Sequence, residues 1–416
     1  MAMLLAGGRV DELSVFTQYR PKSALPLGGL YRVIDFPLSN LMNSGIENVG
    51  VLSQYRSFSL INHLGNGAAW DMVGRNRSLT ILPPFKGLEG SGWYRGNADA
   101  VFQNLEFLLS YQPEYVLVLS GDHVYHMDYG PLLKYHRDRD ADLTVVFIQV
   151  TPDQASRFGV ATIDENDGRI LDYQEKPAQP NSLWASLTVY LFKADVLYDV
   201  LHRNHKKSGG HEFGKDIIPA MLSRYHLYGY KYAEYWGYTR TIDEYWQTSM
   251  HLLGDNPLIN PERWQVRTNL AHNSTRDRPP AILGPNAEVS NSLIYNGCRI
   301  DGRVVNSILF PGVVVGREAE VRDSILMFDT HVSGEAKLNR VISDVETNIG
   351  RGVEVGREGE VVPNREEPNL LRSGITVIGR SCDIPAGIRI GKNCIIKPDM
   401  PYSKFDKVIP SGATVG

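Results

Sequence analysis

Four tetrapeptides recur late in the chain at intervals of 15, 17 and 17 residues: Asn291-Ser292-Leu293-Ile294, Asn306-Ser307-Ile308-Leu309, Asp323-Ser324-Ile325-Leu326 and Arg340-Val341-Ile342-Ser343. Between them lie Ile300-Asp301-Gly302, Val315-Gly316, Val332-Ser333-Gly334 and Ile349-Gly350. A β run this short has too little apolar surface to stand alone. Stacking successive copies gives one continuous core and pairs every backbone, so the period predicts the coils of a parallel β-helix. Val377-Ile378-Gly379 and Ile388-Arg389-Ile390-Gly391 extend it by two coils, and Arg351–Arg372 reads as a loop or an imperfect coil. Such a stack leaves coil ends and faces that invite subunit contact, which predicts an oligomerisation or regulatory role.

The preceding part has a different rhythm. Met3–Ala6, Val49–Ser53, Tyr115–Leu119, Leu143–Val150 and Ala185–Phe192 read as buried strands, and Ala98–Leu109 and Tyr129–Arg139 as helices covering a sheet. This alternation predicts a mostly parallel, Rossmann-like α/β domain with ligands beyond the carboxyl ends of its strands. The expected organisation is an α/β domain over 1–253, a linker over 254–279 rich in turn signals, and a β-helix over 280–416.

The 416 residues suffice for two domains, and a net charge of −4 with 22% charged residues gives no general affinity for nucleic acid. No run of eighteen uncharged apolar residues and no leader-like segment is seen, so a cytoplasmic protein without membrane association is expected. Cys298, Cys382 and Cys394 lack metal-site spacing and read as reduced, buried thiols.

The chemistry concentrates before residue 250. Gly7-Gly8 after the first strand opens a turn in which backbone N–H groups can converge on a phosphate. Further on stand Arg20-Pro21-Lys22-Ser23-Ala24-Leu25-Pro26, Tyr31-Arg32-Val33-Ile34-Asp35-Phe36-Pro37-Leu38-Ser39-Asn40 and Trp93-Tyr94-Arg95-Gly96-Asn97-Ala98-Asp99-Ala100-Val101. Then follow Ser120-Gly121-Asp122-His123-Val124-Tyr125, Glu175-Lys176-Pro177 and His211-Glu212-Phe213-Gly214-Lys215-Asp216. In this order the motifs resemble those of the bacterial and plant glucose-1-phosphate adenylyltransferases, or ADP-glucose pyrophosphorylases. The likeness covers nearly the whole chain, since that family also ends in a left-handed β-helix.

The resemblance implies attack of glucose 1-phosphate on the α-phosphorus of ATP without a covalent enzyme intermediate, catalysed by positioning and charge stabilisation. It implies sugar-phosphate contacts from Glu175, Lys176 and Ser186, phosphate contact from Lys22, and Mg²⁺ on Asp122. It implies nucleotide contacts from Gly7, Gly8 and Gln103.

Three places depart from the family pattern, all toward the nucleotide. In the opening loop Val10 replaces a glycine and Glu12 an arginine. A carboxylate in place of that arginine would repel a triphosphate by up to about 4 kcal/mol at roughly 4 Å and an effective dielectric of about 20; Arg9 is one possible compensator. In Trp236-Gly237-Tyr238-Thr239-Arg240-Thr241, Tyr238 stands at the second Mg²⁺ aspartate, and a neutral phenol is a poor ligand for that ion. Arg240 replaces a glycine there, where it would either reach a phosphate or block one. Lys86 and Gly87 stand where the family has a glutamine and an arginine before the Trp-Tyr-Arg-Gly motif. Near the sugar, Leu187-Thr188 replaces a Met-Gly pair, with Thr188 adding bulk.

The expected function is therefore a regulatory, catalytically weak or inactive subunit of glucose-1-phosphate adenylyltransferase in glycogen or α-glucan synthesis. Its expected partners are a catalytic subunit, in a homo- or heterotetramer, and an anionic sugar-phosphate effector, with Arg32 in a stretch close to the family effector site. The alternative is an active adenylyltransferase with a rebuilt ATP and Mg²⁺ site. A transferase for another base or sugar, and a purely structural or sensory protein, stand further off. His331 alone does not make the β-helix an acyltransferase.

Overall fold

The structure, a computed structural model, describes residues 1–8, 10–85, 92–206, 210–271, 275, 277–357 and 359–416. They form two compact units, neither continuous in sequence. One comprises Met1–Gly8, Phe36–Ser57 and Leu64–Trp236; the other comprises Arg9–Asp35, Phe58–His63 and Gly237–Gly416. The segments Arg9–Asp35 and Phe58–His63 and the chain from Gly237 onward thus belong with the repeats.

The first unit is built on nine strands: β1 (Ala2–Leu5), β2 (Asn48–Leu52), β3 (Ser78–Leu82), β4 (Tyr115–Ser120), β5 (Leu143–Gln149), β6 (Gly159–Ile163), β7 (Ile170–Glu175), β8 (Trp184–Lys193) and β9 (Leu227–Tyr232). Their order is β7-β6-β8-β4-β1-β2-β3, with β5 pairing β8 and β9. The run β4-β1-β2-β3 is parallel, as is the β5–β9 pair. The long β8 lies antiparallel to β4, β5 and β6. Apolar runs such as Val116–Leu119 and Leu143–Phe147 are fully covered, as expected of strands with helices on both faces.

Helices α1 (Asn97–Gln103), α2 (Leu105–Tyr111), α3 (Tyr129–Asp138) and α4 (Ala194–Lys206) cover the sheet. In α4 the buried positions are Ala194, Leu197, Val200 and Leu201, the stripe of a helix with one apolar face. The single helix expected over Ala98–Leu109 is two. Asn104 has φ −111° and ψ 22°, and its amide donates to the Ala100 carbonyl at 2.8 Å and the Tyr94 hydroxyl at 2.9 Å. An asparagine side chain competing for local backbone acceptors interrupts the ladder there. Met3, Val116, Val118, Phe147, Phe192 and Phe213 share the core, each contributing about 1.5–3 kcal/mol by burial.

In the second unit three parallel sheets of 6, 7 and 7 strands form the faces of the β-helix. The predicted tetrapeptides carry the rungs Leu293–Ile294, Ile308–Leu309, Ile325–Leu326 and Val341–Ser343, paired in register and continued by Thr376–Ile378, Ile395–Ile396 and Thr414–Val415. The last two of these were not foreseen; the expected coil at Ile388–Gly391 instead carries a rung of another face, Arg389–Ile390 on Glu354–Val355, in the same turn of the helix as Val377. The residue opening each repeat turns the corner with φ of 42°, 48°, 51° and 54° at Asn291, Asn306, Asp323 and Arg340. Asn and Asp tolerate this left-handed conformation better than other side chains, which explains three of the four. Their side chains also stack: Asn291 donates to Asn306 at 2.8 Å and Asn306 to Asp323 at 2.5 Å. Beside them Ser292, Ser307 and Ser324 accept the N–H of the next coil at 3.0–3.1 Å. At Gly316 an added Cβ would lie 2.7 Å from the Gly334 nitrogen, so adjacent coils meet where no side chain fits.

Arg351–Arg372 is partly coil, since Glu354–Val355 keeps its rung before the chain leaves the stack. Buried Asn364 ties the excursion back, donating to the Asn393 carbonyl at 3.0 Å and accepting from Glu366 and Glu367 N–H at 3.0 and 2.9 Å. All three cysteines are free and buried, as expected.

Residues 10–35 have little regular structure of their own and are held in this unit by side chains. Arg20 donates twice to Asp344, both at 2.9 Å, with 7% and 1% of the two side chains exposed. Tyr295 fills the space above Gly29 and donates to the Gly28 carbonyl at 2.5 Å. Arg20→Ala would leave Asp344 buried without its cation, and its loss is expected to destabilise the protein by about 3–5 kcal/mol. Denaturant unfolding compared with Arg20→Lys checks this; an unchanged midpoint for Arg20→Ala would refute it.

Candidate functional site

In the first unit β1 ends at the predicted turn. Ala6 N–H donates to the Leu52 carbonyl at 2.9 Å and Tyr55 N–H to the Gly7 carbonyl at 3.1 Å. A Cβ on Gly7 would lie 2.5 Å from the Gln54 nitrogen, so only glycine passes, whereas Gly8 faces open space. Gln54 clamps the Tyr94 backbone, accepting from its N–H at 2.6 Å and donating to its carbonyl at 3.4 Å.

Gln103 is present but committed. Its amide donates to Asp99 at 2.7 Å, and Asp99 also accepts from the Arg95 N–H at 2.9 Å and guanidinium at 3.1 Å. An amide held this way braces the Trp93-Tyr94-Arg95-Gly96 loop. Arg9, Lys86 and Gly87 lie outside the described residues.

Asp122 follows β4, as expected, and its half-buried carboxylate accepts from the Ser120 hydroxyl and lies 3.4 Å from His123 Nε2. Among the described residues no three His, Cys, Asp or Glu side chains gather as a metal site. Asp122 fits the role of one Mg²⁺ carboxylate with phosphate oxygens completing the shell, as this ion commonly accepts. Tyr238, a neutral phenol, does not fit the role of the second.

The residues expected at the sugar phosphate converge. Glu175 ends β7, with the Tyr173 hydroxyl donating to it at 3.3 Å. Lys176 follows with φ 46°, its N–H donating to the Phe158 carbonyl at 3.0 Å. Buried Ser186 accepts the Thr188 N–H at 3.2 Å. Three residues not singled out from sequence complete this wall: Tyr173, Tyr190 and Glu212. The first two are apolar by pattern on β7 and β8, and only the fold turns their hydroxyls inward. Glu212 lay within the quoted His211–Asp216 motif, and Asp216 fixes it by accepting the His211 and Glu212 N–H groups, both at 2.8 Å. Burial raises the pKa of Glu175 and of Glu212, and at Glu212 the Glu175 charge adds to the effect.

In the second unit the substituted residues have found one another. Arg240 Nε donates to Glu12 Oε1 at 2.7 Å, and its Nη1 lies 3.4 Å from the Tyr238 hydroxyl. Buried Lys22 places its ammonium 4.8 Å above the Tyr238 ring. Burial opposes charge on both members of the ion pair, but the contacts outweigh it: Glu12 is held below the usual carboxylate range, and Tyr238 and Glu12 keep Arg240 above its ordinary value. About a third of each side chain is exposed, so the pair contributes about 1 kcal/mol or less. The carboxylate expected to face a triphosphate at Glu12 is thus paired with Arg240, where the sequence offers Arg9 as its compensator. Helix α5 (Ile242–Met250) follows, with Thr241 and Glu244 forming a capping box, which fixes the register of Tyr238. Asp243 lies in its first turn and plays no part in the cluster. Arg32 packs over the Phe328 ring at 5.3 Å and donates to the Ala24 carbonyl at 3.4 Å.

Residues 1–254 match the nucleotidyl transferase family model, and residues 282–378 match that of the GlmU-like C-terminal hexapeptide. A glucose-1-phosphate adenylyltransferase of Acetivibrio thermocellus is 41% identical over 97% of this chain and 94% of its own. The chain belongs to the glucose-1-phosphate adenylyltransferase family. Bearing the same name, a protein of Thermomicrobium roseum is 42% identical over 99% of this chain and 96% of its own, and one of Thermotoga maritima 41% over 99% and 97%. The glycine turn, Asp122 and the Glu175 wall all lie within the stretch that matches the nucleotidyl transferase model. No helix among the described residues is long and apolar enough to cross a membrane.

The raised Glu212 pKa gives this adenylyltransferase scaffold a testable pH dependence. Between the ordinary 4.5 and the raised value, the unfolded chain binds fewer protons than the folded one, so stability falls as pH rises. Glu212→Gln removes that penalty. It is expected to melt higher than the parent at pH 7, with the gain vanishing as pH falls to the ordinary value; a constant gain would refute the assignment. Thermal melts in steps from pH 4 to 8 measure it.

Proposed function

We propose that this chain is a regulatory, catalytically weak subunit of glucose-1-phosphate adenylyltransferase, working in the cytoplasm beside a catalytic subunit in α-glucan synthesis. The supporting observation is the Glu12–Arg240 ion pair. In the family pattern an arginine stands at position 12 and would meet the triphosphate; here a carboxylate stands there and engages an arginine of its own chain. Tyr238 removes a metal carboxylate and lays its ring against Lys22, the phosphate-contacting lysine. Charges that would serve ATP and Mg²⁺ are satisfied internally, and a single lost group of this kind typically lowers turnover by a factor of about 10² to 10⁴.

Glu175, Lys176 and Ser186 support a retained sugar-phosphate end. In this reading the chain binds glucose 1-phosphate or a related anionic effector, assembles as a tetramer, and raises or retunes the catalytic subunit. Calorimetry with glucose 1-phosphate and with fructose 1,6-bisphosphate tests the ligand; no heat with either at millimolar concentration rejects it.

A second reading has its own support. The relatives carry the enzyme's name at 41% and 42% identity over 94% and 96% of their length, and Arg240 removes the repulsion that Glu12 alone would exert. On it the chain is an active adenylyltransferase with a rebuilt site, Asp122 serving Mg²⁺.

ADP-glucose synthesis by the chain alone, by a catalytic subunit alone and by the co-purified pair separates the two. The regulatory reading expects a silent chain and a pair more active than the catalytic subunit; robust synthesis by the chain alone overturns it. Reversing Glu12→Arg, Tyr238→Asp and Arg240→Gly together is expected to raise the chain's own synthesis by about 10²-fold or more. Glu12→Arg alone sets two guanidiniums together and should give no gain.

A further inference from the structure

Two residues at the sugar-phosphate wall hold backbone conformations that their side chains disfavour. Lys176 has φ 46° and Thr188 φ 54°. Thr188 is the sharper case, because a β-branched residue in the left-handed region is a true outlier. It sits where β8 slips against β5, the register shifting between Ser186 and Tyr190. Strain of this kind persists only where the surroundings over-determine it, and it gathers at ligand clamps.

The surroundings are specific. Ser186 accepts the Thr188 N–H at 3.2 Å, and the Ser186, Thr188 and Tyr173 hydroxyls lie close enough to the buried Tyr190 phenol to offset part of the rise that burial gives its pKa. Nearby the fold uses glycine to make room: a Cβ on Gly159 would lie 1.9 Å from the Tyr173 hydroxyl, and one on Gly214 2.2 Å from Glu175 Oε2. At position 188 the backbone asks for glycine, yet the chain places a side chain there, half-exposed beside this polar wall.

We infer that Thr188 is a specificity-determining residue of the sugar-phosphate pocket, its side chain restricting the space open to a hexose phosphate. The inference rests on the sugar-phosphate reading given above. It makes side-chain volume, rather than a lost or gained hydrogen bond to ligand, the factor that sets affinity.

Isothermal titration of the full chain with glucose 1-phosphate tests it. Thr188→Gly is expected to bind about five-fold tighter or more, in the range that one small group in a pocket commands, without loss of melting temperature. Thr188→Val keeps the volume and is expected to bind as the parent does; Thr188→Ala removes most of it and should lie between, which covers failure of the glycine variant to fold. Equal or weaker binding by both the glycine and alanine variants overturns the role of Thr188. Tighter binding by Thr188→Val equal to that of Thr188→Gly shows the hydroxyl to be the cause and also overturns it. No binding by any protein, parent included, rejects the sugar-phosphate reading and the inference with it.

Discussion

Arg20 and Asp344 stand 324 residues apart and meet almost out of reach of water. Removing two charges from solvent is expensive, and only complete pairing offsets it. The Asp344 carboxylate takes both guanidinium N–H groups on one oxygen, together with the Val345 N–H at 2.8 Å. Residues 10–35 have only short helical turns and a two-residue hairpin, too little for independent order. Their attachment through Arg20, and through Tyr295 over Gly29, is what gives Glu12 and Lys22 fixed surroundings. A glycine-rich loop would be shaped by its phosphate; this one is shaped by its own unit.

The same economy of charge explains the substituted residues. A carboxylate replacing an arginine, an arginine replacing a glycine and a phenol replacing a carboxylate look like independent losses when set along the chain. In the fold they make one cluster in which Arg240 bridges Glu12 and Tyr238, and Tyr238 covers Lys22. Each change is tolerable because another is present. The first unit is built the other way. Asp122, Glu175, Lys176 and Ser186 are the residue types that the resemblance implies, and burial disfavours the charge on Glu175 and Glu212, a penalty that a proton relieves.

The repeats were legible because a coil of a β-helix is local. Each rung, corner and glycine lies within a dozen or so residues, and Asn291, Asn306 and Asp323 advertise the left-handed corner by type. Strands such as Tyr115–Ser120 and Leu143–Gln149 were legible to within a residue, because continuous apolar runs announce two covered faces. The break at Asn104 and the rungs Ile395–Ile396 and Thr414–Val415 were not. The first depends on the Tyr94 hydroxyl as a partner outside the helix, and the two rungs follow at longer spacings than the earlier repeats.

The sequence by itself determined the two kinds of architecture, the identities of the residues at each site position and the departures from the family pattern, since all of these are carried by residue type and spacing along the chain. Tertiary structure alone decided which charges neutralise which. Glu12 and Arg240 are 228 residues apart, and Coulomb attraction acts on distance in space, so no one-dimensional pattern reports it. It decided likewise that Gln103 braces Asp99, that Tyr173 and Tyr190 turn their hydroxyls toward the Glu175 wall, and that Thr188 is held against its backbone preference, each being a consequence of what packs around the residue.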